Sequence, residues 1–180
     1  MTKQALILID LQQDYFEGGA YPLVHPDPAL SEARKVLDAF RSRKLPVMHI
    51  RHESIRPGAT FFLPGTPGAE IHPLVAPEGN EPVLTKHYPN AFRGTALSQW
   101  LAEGAIRHLV IVGMMTHMCV DSTVRAAFDE GYRVTVLGDA TATRPIDPVP
   151  AEWVQQAFLG SWQGTFADVI TTERFLATLR

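Results

Sequence analysis

Leu109-Val110-Ile111-Val112-Gly113-Met114-Met115-Thr116-His117-Met118-Cys119-Val120 is the stretch that decides the fold. Its first four residues are aliphatic with no polar alternation, the pattern of a strand covered on both faces. Gly113 lets the chain turn. Val120, Val124, Ala127 and Phe128 then recur at helical spacing until Gly131 ends the helix. Val134-Thr135-Val136-Leu137 follows as another apolar run. Two buried strands joined through a helix read as a parallel pair, whose crossover needs a connection of that length.

The same alternation extends in both directions. Upstream, Ala5–Ile9 reads as strand one, and Asp27-Pro28 as an N-cap followed by proline at the first helical position. Leu30, Ala33, Leu37 and Phe40 form the inner stripe of that helix. Val47–Ile50 is strand two, and Pro82–Thr85 is strand three, leading into Lys86. Between them a Gly- and Pro-rich loop spans about 56–81, a length typical of binding loops. Thr95 is placed to cap a short helix carrying Leu97, Trp100 and Leu101. Downstream, Asp147-Pro148 opens a helix that turns Trp153, Ala157, Phe158 and Trp162 inward. Ala167–Ile170 is strand six, and Thr172 caps the closing helix. The expectation is one domain over 1–180: a three-layer α/β/α sandwich with a six-stranded, doubly wound parallel sheet.

The bulk numbers exclude several classes. A net charge of −3, with Lys and Arg scattered, gives no basic footprint for nucleic acid. No apolar run approaches the ~20 residues of a membrane span. The opening apolar stretch is too short for a secretion signal, which points to a cytoplasmic protein. A single cysteine, Cys119, rules out an internal disulfide or a multi-cysteine zinc site. No Gly-x-Gly-x-x-Gly follows strand one, where Asp10-Leu11-Gln12-Gln13 stands instead.

Ligands of open parallel sheets bind beyond the carboxyl ends of the strands. Strand one ends in Asp10, strand three in Lys86, and strand four turns into the helix that carries Cys119. A carboxylate, an ammonium and a thiol converge on one edge, the components of nucleophilic catalysis with a general base. With Thr116 as N-cap, the helix dipole and the Lys86 ammonium should depress the Cys119 thiol pKa.

Three ordered motifs resemble the isochorismatase-like cysteine hydrolases. They are Asp10-Leu11-Gln12-Gln13-Asp14-Tyr15-Phe16 after an apolar strand, Lys86 followed by Asn90-Ala91-Phe92, and Gly113 through Val120 with Thr116 and Cys119. Asn90 stands where that family usually has Ser. Asp139–Thr143 and Phe166–Val169 also sit where the family has similar segments. The resemblance implies Cys119 as nucleophile, Asp10 as base and Lys86 as electrostatic partner. It implies a cis Met114–Met115 peptide and an oxyanion hole from the backbone N–H groups of Met115 and Cys119. Gln12, Phe16, Asn90, Phe92 and Trp162 become candidate substrate-binding residues, beside Phe61, Phe62, Arg51, Arg93 and His87. The family commonly forms dimers or tetramers.

Members with a metal carry an Asp-x-His after strand two, whereas this chain has His49-Ile50-Arg51-His52-Glu53. His49 and His52 fall on opposite faces of a strand and cannot chelate one ion together. His72 and His87 read as polar surface or pocket groups. No metal or other cofactor is expected. Members that cleave an enol ether generally lack the cysteine, so Cys119 implies hydrolysis of a C–N bond in a small molecule through a thioester. The alternative is a non-catalytic small-ligand-binding or scaffold protein that keeps the fold, and turnover of any amide separates the two.

Overall fold

The computed structural model describes residues 3–179. The sheet is built from β1 (Gln4–Ile9), β2 (Val47–His52), β3 (Val83–Lys86), β4 (His108–Met114), β5 (Arg133–Ala142) and β6 (Asp168–Ile170). All neighbours pair in parallel, in the order β3-β2-β1-β4-β5-β6. The order reverses between β1 and β4, which places the ligand crevice beyond their carboxyl ends.

The alternation of β1 shows how two layers of helix are held. Leu6 and Leu8 join one apolar cluster with α1 (Pro26–Ser42) and α5 (Thr172–Thr178). Ala5, Ile7 and Ile9 join the other, with α2 (Leu97–Glu103), α3 (Asp121–Asp129) and α4 (Ala151–Trp162). Full burial of each such aliphatic side chain contributes about 1.5–3 kcal/mol, so a central strand apolar on both faces anchors the whole sandwich. Register then sets the site. Ile9 lies opposite both Ile50 and Gly113, and His52 lies opposite Lys86.

Three helix starts differ from the sequence reading. The first helix begins at Pro26 after His25, so Asp27 lies inside the first turn, where its charge suits the helix dipole. Asp147-Pro148 lies in a turn closed by hydrogen bonds between Ile146 and Val149, and α4 begins only after Pro150. The inner face of α4 is therefore Ala151, Val154 and Trp162, while Trp153 is 66% exposed and Ala157 faces solvent. Thr171, not Thr172, caps α5 by accepting from the Arg174 N–H. Thr172 is spent on Asp139, to which both its N–H and its hydroxyl donate.

No helix among the described residues is long and apolar enough to cross a membrane.

Candidate active site

Asp10 is the first residue past β1 and takes a left-handed backbone, φ 50°, a conformation Asp tolerates better than most residues. Beside it, β4 passes so close that a Cβ on Gly113 would overlap the Ile9 carbonyl, and Gly113 itself has φ 133°. Only glycine lets the two strand ends approach this far. The Met114–Met115 peptide is cis. Residues 116–120 then wind as a single π-helical turn that carries Cys119 to the same edge. Thr116 does not cap this turn. Its hydroxyl donates to Gln155 Oε1 (2.6 Å), tying the turn to α4.

Lys86 arrives from the end of β3. Its ammonium donates to Asp10 Oδ2 at 2.8 Å, with both side chains 0% exposed. It also lies 2.9 Å from His52 Nδ1, at the end of β2. An ammonium facing Nδ1 requires that nitrogen to accept, which leaves the ring proton on Nε2. Burial, then Lys86, pushes the His52 pKa down to about 4, so the imidazole is neutral at physiological pH. Burial opposes the charge on Lys86, but Asp10 and Cys119 outweigh it and its pKa is raised.

Asp10 Oδ1 is buried and takes no hydrogen bond. Cys119 is buried close by: its sulfur, an Asp10 oxygen and a His52 nitrogen lie within 4.8 Å of one another. The thiol pKa is not depressed. Burial first, then the Asp10 charge, raises it well above the ordinary thiol range, and Lys86 only partly offsets them. The π-turn lacks a side-chain cap, and the carboxylate is a nearer influence than the helix end. The resting group is a thiol beside a carboxylate with a free acceptor.

Above the sulfur opens a cavity of about 470 Å³. Tyr15, Phe61, Phe62, Met115 and Met118 give it apolar walls, and His52, Ser54, Arg56 and His87 supply polar groups. The long loop between β2 and β3 reaches the cavity because buried Asp14 holds it: Asp14 Oδ2 accepts from the Phe62 N–H at 2.6 Å. The Tyr15 ring sits 4.6 Å from that of Phe62.

Of the residues expected at the pocket, Met115, Phe61, Phe62 and His87 line it. Gln12, Phe16, Asn90, Phe92 and Trp162 do not reach its wall. Gln12 is fully buried and clamps the backbone of His52, accepting from its N–H (2.7 Å) and donating to its carbonyl (2.8 Å). Phe16 packs on the His72 ring, and Phe92 stacks on Tyr132. Asn90 Oδ1 accepts from the Phe92 N–H at 2.9 Å. The Trp162 indole is buried in the core and donates to Asp121 Oδ1 at 2.7 Å. Arg51 pairs with Glu53 and Glu70, and Arg93 stacks on Tyr88.

His52 and Tyr15 are the groups that the sequence reading passed over. Strand two runs two residues beyond Ile50, to His52, so the strand-end rule that finds Asp10 and Lys86 also finds His52 once the strand is given its full length. Tyr15 ends a 3-10 turn over Gln13–Tyr15, which turns this ring, and not Phe16, to the cavity.

Asp10, His52 and Cys119 offer the donor types of a metal site, but the Lys86 ammonium already bridges two of them. His49 points to the other face of β2 and bonds Glu81 at 3.0 Å.

Comparison with known proteins finds matches along nearly the whole chain. The model of the isochorismatase domain matches residues 4–174. The isochorismatase family protein YddQ of Bacillus subtilis is 44% identical over 176 residues, covering 96% of this chain and 98% of its own length. Maleamate amidohydrolase of Pseudomonas putida is 29% identical over 193 residues, covering 99% of this chain and 87% of its own. The crystal structure of an isochorismatase-type hydrolase from Oleispira antarctica superposes with a TM-score of 0.93 at 44% identity, covering 98% of this chain and 97% of that one. With the family model matched over residues 4–174 and relatives at 44% identity covered nearly end to end, the chain belongs to the isochorismatase family of hydrolases.

Proposed function

We propose that this hydrolase cleaves a C–N bond in a small amide, carbamoyl or urea-like substrate, with Cys119 as nucleophile and Asp10 and Lys86 completing a triad. The observation that carries the reading is the unfilled acceptor of Asp10. Oδ2 is tied to the Lys86 ammonium, Oδ1 is buried without a partner, and the carboxylate lies close to the buried Cys119 thiol that lines the cavity.

The steps follow from those positions. The Cys119 S–H proton passes to Asp10 as the sulfur attacks the substrate carbonyl, and the C–S bond forms as the C=O pair moves onto oxygen. Backbone N–H groups of Met115 and Cys119 are the donors we assign to that oxyanion. The tetrahedral intermediate collapses, the C–N bond breaks, and Asp10 returns the proton to the departing nitrogen. A water, deprotonated by Asp10, then attacks the thioester and releases the acid and the thiol. Lys86 holds Asp10 through Oδ2, and His52 and Asp10 together fix the ammonium. The Cys119 thiol and the attacking water supply the protons and Asp10 carries them, so the reading requires no cofactor.

A cavity of about 470 Å³ suits a small molecule. The named activity of the P. putida relative, maleamate amidohydrolase, is of the same class. A free buried thiol fits a reducing cytoplasm, and a homodimer or homotetramer is the assembly we assign. The test is a panel of small amides, ureas and carbamoyl compounds, assayed for ammonia release with the native protein and Cys119→Ala. The expected result is release from at least one compound by the native protein and none by the variant. Equal release by both overturns Cys119 as nucleophile. No release across the panel favours a ligand-binding role for the same cavity.

A further inference from the structure

Asp10, His52 and Cys119 each bring one donor atom to a common point, all within 4.8 Å of one another. Carboxylate, imidazole and thiolate are zinc-binding groups, at about 2.0–2.3 Å from the ion. Three such donors on a tetrahedron stand about 3.3–3.7 Å apart, so shifts of roughly 1 Å close this set around an ion. Their elements lie in fixed register, with β1, β2 and β4 adjacent in the sheet. Cys119 and His52 both line the cavity, which gives an ion an entry path and leaves a fourth position for water.

One feature works against a metal: a cation is already there. Lys86 Nζ lies 2.8 Å from Asp10 Oδ2 and 2.9 Å from His52 Nδ1, so two of the three donors face an ammonium. Electrostatically, the lysine occupies the place the ion would take.

We propose that Asp10, His52 and Cys119 form a latent inhibitory site for a thiophilic divalent cation, Zn²⁺ above all, and that Lys86 is the competitor that holds its affinity down. Binding forms a Zn–S bond and releases the thiol proton to solvent. The Lys86 ammonium leaves its bridge between Asp10 and His52, and a water fills the fourth position from the cavity. The site stands on donor geometry alone and holds whichever reaction Cys119 performs. The metal blocks the thiol and plays no part in turnover.

Cobalt(II) titration of the whole protein tests this without an activity assay. The native protein should develop a thiolate-to-cobalt absorption band in the near ultraviolet. Cys119→Ser should lose the band, and His52→Phe should weaken binding by about tenfold or more. Lys86→Met, which removes the competing charge but keeps the stem, should tighten binding by about tenfold or more. A native protein without the band in excess cobalt overturns the site, as does a band unaffected by His52→Phe. Binding no tighter in a folded Lys86→Met variant overturns the role given to Lys86. Should that variant not fold, iodoacetamide labelling of Cys119 in the native protein still decides the site. Zinc should protect the thiol, a chelator should reverse this, and His52→Phe should abolish it; unprotected labelling in zinc overturns the proposal.

Discussion

Two buried charge clusters flank β2, three residues apart in sequence and on opposite faces, and they are finished differently. On one face Glu81 accepts from Arg41 Nε (2.8 Å) and Nη2 (2.7 Å), from the Glu78 N–H (2.9 Å) and from His49 Nε2 (3.0 Å). Both of its oxygens are filled, and the cluster pins the last turn of α1 to the loop before β3. On the other face Asp10 accepts from Lys86 through Oδ2 and leaves Oδ1 bare beside a thiol. A buried acceptor left without a partner costs about 1–3 kcal/mol. In the proposed reaction this open acceptor is the one that takes up the Cys119 proton. In the Glu81 cluster, a brace, the carboxylate is filled and it is the His49 Nδ1 that lacks a partner; in the Asp10 cluster the carboxylate itself is the open acceptor.

The largest expected effect breaks the comparison at its centre. Asp10→Asn keeps the shape and the Lys86 acceptor but removes the base, so turnover should fall by about 10⁴-fold, as for members of a triad acting as one unit. Glu81→Gln removes a partly buried carboxylate from the brace, and kcat/KM should stay within about threefold because the site shares none of its partners. Steady-state kinetics on the two purified variants, with circular dichroism to check folding, decides it. A comparable loss in both would mean that the clusters are coupled through β2 and that the division is mistaken.

The brace should reveal itself in stability instead. Burial opposes ionisation of Glu81, but Arg41, the Glu78 N–H and His49 overcome it and hold the carboxyl pKa down to about 2. A depressed carboxylate contributes stability that is present above its unfolded pKa and lost as pH falls through the folded value. For Glu81, 16% exposed, that amounts to about 3 kcal/mol lost between roughly pH 4.5 and pH 2. Urea unfolding across that range should show the native protein declining steeply. Glu81→Gln should start about 3 kcal/mol lower at pH 7 and decline less. Parallel curves for the two proteins would remove Glu81 as the cause.

What the sequence discloses, and what it does not, divides along the same lines. The six strands and their parallel arrangement are legible because apolar runs such as Leu109–Val112 carry their own signal, whereas the strand order is not. Asp10, Lys86 and Cys119 are legible because strand ends in a parallel sheet share an edge. His52 escapes because the polar Arg51 and His52 look like the end of a strand, although pairing with Thr85 and Lys86 carries β2 through them. The brace escapes altogether, since nothing local to Arg41, His49 and Glu81 tells that they meet. Trp162 and Phe92 mislead for the opposite reason. An aromatic reads equally as pocket or core, and only tertiary packing sends Trp162 to Asp121 and Phe92 to Tyr132.

A smaller effect concerns the thiol itself. Burial and the Asp10 charge raise the Cys119 pKa, so the thiolate fraction at pH 7 should be low and the proton should leave only as Asp10 takes it up. Iodoacetamide alkylation should rise with pH to a midpoint above the ordinary thiol value of about 8.5. Asp10→Asn removes the neighbouring negative charge and should bring the midpoint down. A midpoint below about 7.5 in the native protein would indicate a preformed thiolate, with Lys86 and not Asp10 as the dominant neighbour.

The smallest expected effect concerns Asn90, which stands where the resembling family usually has serine. Asn90 is half-buried, and its Oδ1 accepts from the Phe92 N–H two residues on, a local turn that needs only a short side-chain oxygen. A serine hydroxyl makes the same bond. Its neighbours Tyr88 and Pro89 line the cavity, and Asn90 itself does not. Asn90→Ser should therefore change stability by less than about 0.5 kcal/mol, the range of substitutions that disturb no packing or network. KM for the best substrate of the panel should not move. A clear rise in KM with kcat preserved would place the Asn90 amide on the substrate. The loop that carries Tyr88 and Pro89 would then have to swing inward on binding, joining the β3 end of the site to the substrate as well as to Lys86.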